Sequence, residues 1–174
     1  MTPFLIVCGL IVALFLLRLM MFRGVIGEEA VEPPKGIIDM HCHTAGVGAG
    51  GSGAWISDAL RNSWKFGLYL KIFGSNEKAV SEEGDESLMA IIAKSIQQSE
   101  FVDGAVILAM DAPYTAEGEL DRDSGEVCVP NRFVGEGVKK FPELHFAASV
   151  HPNRKDALEE LEWSRENGAV LVKW

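Results

Sequence analysis

The sequence has few cysteines, and their spacing excludes two common classes of small protein. Its 174 residues include three of them, Cys8, Cys42 and Cys128, which are widely separated and odd in number. A disulfide-rich scaffold pairs an even number of cysteines, and a structural zinc site commonly contains a CxxC motif. Neither pattern is present, so the fold must depend on a buried apolar core.

Positive charge is also scarce. The chain has 16 Lys and Arg residues against 25 Asp and Glu residues, a formal net charge of −9, and an isoelectric point of about 4.9. Because an acidic surface repels a phosphate backbone, we expect no binding of nucleic acid. Hydrophobic residues make up 48% of the sequence, which is enough for a core and excludes a disordered tail.

The longest hydrophobic run lies at the N-terminus. From Phe4 to Phe22 the only charged residue is Arg18, and a helix of this length crosses about 30 Å of hydrocarbon. A cleaved signal peptide is the alternative, but no basic residue precedes the run and no small-residue cleavage site follows it. We therefore predict a transmembrane anchor over 1–23 and a membrane localisation. Arg18 and Arg23 at its C-terminal side favour a cytoplasmic position for the following domain.

The rest of the chain divides into a linker and one larger domain. Residues 24–35 contain Pro33 and Pro34 among polar residues and are predicted to be a linker. Residues 36–174 contain four apolar segments bounded by turn residues, which predict buried strands at 37–40, 105–110, 145–150 and 169–172. Helical patterns lie between them, and this alternation indicates a parallel sheet with right-handed crossovers. The sheet is either an open one or the first four units of a (β/α)8 barrel.

Two histidines follow the first predicted strand, in the sequence DMHCHT. Because alternate residues of a strand point to the same side, His41 and His43 are expected to face together and to bind one divalent metal ion. Cys42 points the other way and is predicted to lie in the core. The alternative is that the two histidines have no ligand role.

A glycine-rich run follows this pair, over residues 46–53. The Lys-Ser/Thr ending of a phosphate-binding loop is missing, although backbone N–H groups before a helix can bind an anion. We favour a flexible lid over a phosphate site.

The other strand ends carry polar residues as well. Asp111, His151 and Lys173 follow or end the second, third and fourth predicted strands, and loops after parallel strands commonly form active sites. His151 is either a site residue or a hydrogen-bonded residue of the rim, and Asp111 is more typical of a turn. His145, at the opposite end of its strand, is expected to be structural.

Three of these segments together resemble the amidohydrolase superfamily of metal-dependent hydrolases, especially its family 2 branch. They are IIDMHCH, SVHP and GAVLVKW, and their spacing spans residues 36–174. The resemblance implies that His41 and His43 bind the first metal ion and that Lys173, when carboxylated, bridges two. It also implies a TIM-like (β/α)8 barrel, of which this chain would supply the N-terminal half. The two later histidines and the Asp of that superfamily have no counterpart here.

The implied function is metal-dependent hydrolysis of a small-molecule substrate. One or two divalent ions, zinc first among them, would activate water to attack an amide- or ester-type carbon, and His151 would orient the substrate. The alternatives are a decarboxylase of the same superfamily, a TatD-like nuclease, which Lys173 argues against, and an inactive membrane-anchored fragment. We expect the 174-residue chain alone to be inactive, and the sequence leaves open whether it forms a homo-oligomer.

Overall fold

The N-terminal hydrophobic run forms helix α1, Pro3–Phe22. The computed structural model describes residues 3–22 and 36–173, and the side chains of α1 over 7–18. Within the described ranges no helix combines the length and the apolar character needed to cross a membrane. The predicted transmembrane anchor over 1–23 and the predicted membrane localisation of the chain are therefore wrong, and the cytoplasmic side assigned to the following domain, which was inferred from that anchor, loses its basis.

The chain separates into two compact units, 1–34 and 35–174, and the second is a mixed α/β fold. The predicted linker over 24–35 lies outside the described residues. In the second unit the strands are β1 Ile38–His43, β2 Trp55–Ile56, β3 Gly104–Leu108, β4 Val127–Cys128, β5 Leu144–Ser149 and β6 Ala169–Lys173. The helices are α2 Asp58–Arg61, α3 Trp64–Ile72, α4 Glu77–Glu83, α5 Glu86–Gln97, α6 Asn131–Gly137 and α7 Ala157–Glu166, with short 3-10 turns at Ala49–Gly51 and Val138–Lys140.

Four strands form the main sheet in the order β1-β3-β5-β6, and every neighbouring pair is parallel. This confirms the predicted parallel sheet and its four strand positions. The described residues form an open sheet with β1 and β6 at its edges, so the fold class that began with a transmembrane helix is corrected to a mixed α/β fold with a four-stranded parallel sheet.

One face of the sheet, here called the helix face, packs against α5, α6 and α7. Ala105, Ile107, Phe146 and Ala148 point to this side and are almost completely buried. They form a single apolar cluster with residues of the helices: Met89, Ile92 and Ala93 from α5, Val134 from α6, and Trp163 from α7. Burial on both faces explains why β3 is apolar along its whole length, whereas β5 is interrupted by His145 and ends in Ser149.

The opposite face, here called the His face, has a smaller apolar cluster and a polar end. Val106, Leu108 and Ala147 are buried there and pack with Leu171. The register aligns His43 with Leu108 on this face. Ser149 and Lys173 come two residues after Ala147 and Leu171, so they lie at the carboxyl end of the sheet on the same side as His43.

The region between β1 and α3 differs from the sequence prediction. The apolar spacing from Trp55 to Leu68 predicts one helix, but Trp55 and Ile56 instead form β2, which pairs antiparallel with β4. The helical part is divided in two at Asn62, and Ser63 precedes α3. A pairing partner about 70 residues away in the chain has overridden the local period, which sequence periodicity alone does not reveal.

Candidate functional site

Polar side chains meet at the carboxyl end of the sheet on the His face. His43 ends β1, and the register pairs Ser149 of β5 with Lys173 of β6. Because Ala147 and Leu171 lie on the His face two residues earlier, Ser149 and Lys173 lie on it as well. The two edge strands thus place His43 and Lys173 on the same face of the sheet.

A β-bulge includes the first of the two histidines, His41. Asp39 pairs with Ala105 and Cys42 pairs with Ile107, so three steps along β1 match two steps along β3. The Asp39 carboxylate accepts a hydrogen bond of 2.9 Å from the backbone N–H of His41, which closes this local turn of the strand. Bulges commonly redirect side chains next to active sites.

The two imidazoles converge on one point. The Nε2 atoms of His41 and His43 are 3.0 Å apart, and the ring centroids are 4.9 Å apart. Two nitrogens bound to a single zinc ion, each at 2.0–2.1 Å, are separated by about 2.9 Å at a right angle and about 3.4 Å in a tetrahedron. The observed separation lies within this range, so the pair fits a shared divalent ion. Without an ion, the same distance suits one N–H···N hydrogen bond between the rings.

The far side of the His43 ring lacks the full hydrogen bond that a metal-binding histidine usually makes. Its Nδ1 atom is buried and makes no hydrogen bond of full geometry among the described residues, although the Leu108 carbonyl interacts with the ring. Metal-binding histidines usually direct the second ring nitrogen to an acceptor, and buried polar atoms are rarely left unpaired in a finished structural network.

Electrostatics keeps the His43 ring neutral. Burial lowers its pKa, the positive charges of Lys173 and His41 lower it further, and the Leu108 carbonyl opposes this by raising it. A neutral imidazole is the form that binds a metal ion.

The described residues do not complete a metal site by themselves. They contain no group of three or more His, Cys, Asp or Glu side chains arranged to hold an ion. Cys42 adds nothing, because it faces the helix side and packs against the core there, as predicted. Burial raises the pKa of its thiol, followed in effect by the nearby charge of Asp39.

The glycine-rich run after β1 is anchored to a buried carboxylate. Asp85 is completely buried and accepts hydrogen bonds of 2.9 Å from the backbone N–H groups of Val47 and Gly48, and another from the Ser52 hydroxyl. A side chain at Gly46 would collide with it, because an added Cβ would lie 2.5 Å from Asp85 Oδ2. The loop's anion-binding groups therefore serve an internal carboxylate, which argues against both a phosphate site and a free lid.

His151 belongs to a separate polar cluster above β3 and β5. Its backbone N–H donates to Asp111 Oδ2 at 2.9 Å, and its Nδ1 accepts from the backbone N–H of Asn153 at 3.2 Å. The neutral ring consequently carries its proton on Nε2. The Tyr114 ring lies beside it, at 5.6 Å between centroids. Among the described residues, no hydrogen bond or ring contact joins His151 to the histidine pair.

Arg154 connects this cluster to the start of α7. Its Nη1 lies 3.1 Å from both oxygens of Asp111, and its Nε and Nη2 donate to Asp156 at 2.9 and 2.8 Å. These carboxylates raise the pKa of Arg154, the Asp156 hydrogen bond most strongly, and Arg154 in turn lowers the pKa of Asp156. Asp111 is thus more than the turn residue that the sequence favoured.

A second set of hydrogen bonds joins α6, α7 and β5. The Asn131 side chain donates to the Ser149 carbonyl at 2.9 Å and to Glu160 Oε1 at 3.1 Å, and it accepts from the Ser149 N–H at 2.8 Å. Asn131 and Glu160 are buried. Sequence reasoning missed both residues, and also Arg154, since each looks like an ordinary helix or loop residue.

The chain matches no family model, and no curated protein or solved structure is significantly similar to it. The likeness to amidohydrolases therefore rests on the three strand-end segments alone. What the site does must be argued from its own geometry.

Proposed function

We propose that this chain carries part of the metal centre of a metal-dependent hydrolase that resembles the amidohydrolase superfamily. The observation that supports it is the 3.0 Å separation of the His41 and His43 Nε2 atoms at the carboxyl end of a parallel sheet. In such a site a divalent ion, zinc by the resemblance, supplies activation of water near neutral pH and polarisation of a carbonyl group.

The chain's own residues would have different roles in this site. His41 and His43 would hold the ion through their Nε2 atoms. The Nδ1 atom of His43 has no hydrogen-bond partner among the described residues. Lys173 lies on the same face and, if carboxylated as in the resembling enzymes, adds an oxygen ligand. His151 presents an Nε2–H donor at the rim, suited to orienting a substrate oxygen.

Metal content tests the proposal. We expect the full-length chain to bind Zn²⁺ or Co²⁺ and the double variant His41→Ala plus His43→Ala to lose most of it, measured by elemental analysis after gel filtration. Cys42→Ser is the matched control, because this residue lies between the two histidines but faces the helix side. Equal metal content in the double variant, or equal loss in Cys42→Ser, contradicts the proposal.

Metal binding without turnover is the second candidate, and the incomplete ligand set within the described residues favours it. Two imidazoles and a lysine leave an ion under-coordinated, so we expect these 174 residues to show no metal-dependent hydrolysis of an activated ester such as p-nitrophenyl acetate. Hydrolysis that requires both Zn²⁺ and His41 would instead show that the centre is complete.

A further inference from the structure

A second pocket lies between the loop after β3 and the first residues of α6 and α7. Its volume is about 260 Å³, and its lining includes Trp55, Tyr114 and three arginines, Arg122, Arg132 and Arg154. Neither histidine of the pair lines it, nor does Lys173. An inference about this pocket therefore stands apart from the proposed metal centre.

The negative charges in the pocket wall are already paired. Asp111 faces Arg154 and also accepts hydrogen bonds from the backbone N–H groups of Ala112 and His151. Glu160 accepts from Asn131, and its other oxygen lies 3.7 Å from Arg154 Nη2. These two buried carboxylates leave little net negative potential at the pocket.

Two arginines retain unused donors. In the part of the chain that the structure describes, neither Arg122 nor Arg132 donates a hydrogen bond to another residue. Arg122 lies over the Trp55 ring at 5.3 Å, and Arg132 lies over the Trp163 ring at 4.6 Å. The nearest carboxylate contact of Arg132 is a loose 3.7 Å approach to Glu160. Stacking fixes the planes of both groups while leaving N–H donors free.

Aromatic and apolar side chains form the remaining wall. Trp55 and Tyr114 are half-buried, and Leu120 and Pro130 lie beside them. Ligand pockets combine such surfaces with a few directed polar groups, and drug-sized ligands occupy about 300–1,000 Å³. A somewhat smaller pocket suits a single ring.

We propose that this pocket binds a small aromatic carboxylate, with the carboxylate on Arg122 and Arg132 and the ring against Trp55 and Tyr114. A guanidinium group matches a carboxylate with two parallel hydrogen bonds, and such charge-assisted bonds are about twice as strong as neutral ones. The preference for an anion is notable in a chain whose net charge is −9, because the overall field opposes it.

Benzoate and benzyl alcohol test the proposal on the unaltered full-length chain. Both have one ring, but only benzoate is charged, so we expect benzyl alcohol to bind about tenfold more weakly or not at all. Binding is followed by NMR titration in buffer containing EDTA, so that no metal contributes. Equal affinity of the two compounds, or no binding of benzoate at millimolar concentration, overturns the proposal.

Substitutions then locate the site. We expect Arg122→Gln to weaken benzoate binding about tenfold, while Arg165→Gln leaves it unchanged. Arg165 is the matched control, because it is an exposed arginine of α7 paired with Glu162 outside the pocket. An unaffected Arg122→Gln, or equal weakening in Arg165→Gln, would show that benzoate binds elsewhere or through general charge.

Discussion

The polar groups at the ends of the two central strands differ in their hydrogen bonding from those at the ends of the two edge strands. At the carboxyl ends of β3 and β5, the polar groups of Asp111, Asn131 and Ser149 are buried or half-buried and hydrogen-bonded. At the ends of β1 and β6, the buried Nδ1 of His43 has no hydrogen-bond partner among the described residues, and the charge of Lys173 contributes to lowering the pKa of His43. Polar groups that are all hydrogen-bonded within the fold favour a structural role, whereas a buried polar group without a partner favours a ligand site.

The largest expected effect on stability comes from disrupting the ion pair between Arg154 and Asp111 at the ends of the central strands. Arg154→Met should lower the free energy of unfolding by about 3 kcal/mol, because it leaves the buried Asp111 carboxylate without its charged partner. Urea denaturation measures this change. Arg165→Met, at an exposed pair on α7, should leave the free energy of unfolding essentially unchanged. If both variants lose the same stability, the central cluster does not stabilise the fold as the comparison requires.

The reactivities of the buried Cys128 and the exposed Cys8 differ for an electrostatic reason. Burial raises the pKa of the Cys128 thiol to about 11, with the Asp111 charge contributing next. At pH 8 its thiolate population is then about a hundredfold below that of an ordinary thiol, so we expect labelling by iodoacetamide to be at least that much slower than for exposed Cys8.

The pH dependence has a defined sign. Since the folded state holds the Cys128 proton more tightly than the unfolded state, stability should fall as the pH rises from about 9 towards 11.

The rate of iodoacetamide labelling at Cys8 and Cys128 is measured by mass spectrometry of the labelled peptides. Equal labelling rates of Cys8 and Cys128 at pH 8 would contradict this prediction.

Asp85 connects the edge strand β1 to the body of the fold. Asp85→Ala should cost about 2 kcal/mol, because two backbone N–H groups and a hydroxyl lose a buried acceptor. We also expect new protease cleavage within 46–53. Asp58→Ala, an exposed acid in α2, is the control and should change neither property. Unchanged proteolysis of Asp85→Ala would mean that the loop holds its conformation without this anchor.

The smallest effect is expected at the histidine pair. His41→Ala plus His43→Ala should change the unfolding free energy of the metal-free chain by less than about 1 kcal/mol, since the hydrogen bond between the two rings loses both partners at once and leaves neither unpaired. Calorimetry in EDTA measures it. A loss as large as that of Arg154→Met would assign the pair a structural role and remove the contrast with the central strands.

The sequence predicted what depends on local pattern. Four apolar segments between turn residues located the parallel strands, and the i, i+2 spacing correctly brought His41 and His43 together. Contacts between distant segments were not predictable in this way. Arg154 looks like a loop residue until Asp111, 43 residues earlier, is placed against it.

Two further misjudgements have the same origin. The apolar spacing after Asp85 predicts this residue as the N-cap of α5, and it does precede the helix, but its side chain makes no capping hydrogen bond and instead reaches back to the glycine-rich loop. The N-terminal run was interpreted from its composition alone as a membrane anchor, and the described helix does not meet that requirement.

The bulge in β1 has an evolutionary consequence. In a regular strand, one inserted or deleted residue transfers every later side chain to the other face. At Met40 and His41 two residues already oppose one, Val106, so the strand can shorten there by one residue and regain regular alternation while Cys42 keeps its pairing with Ile107. Length variation among relatives of this chain should therefore concentrate at this step and spare the orientation of His43.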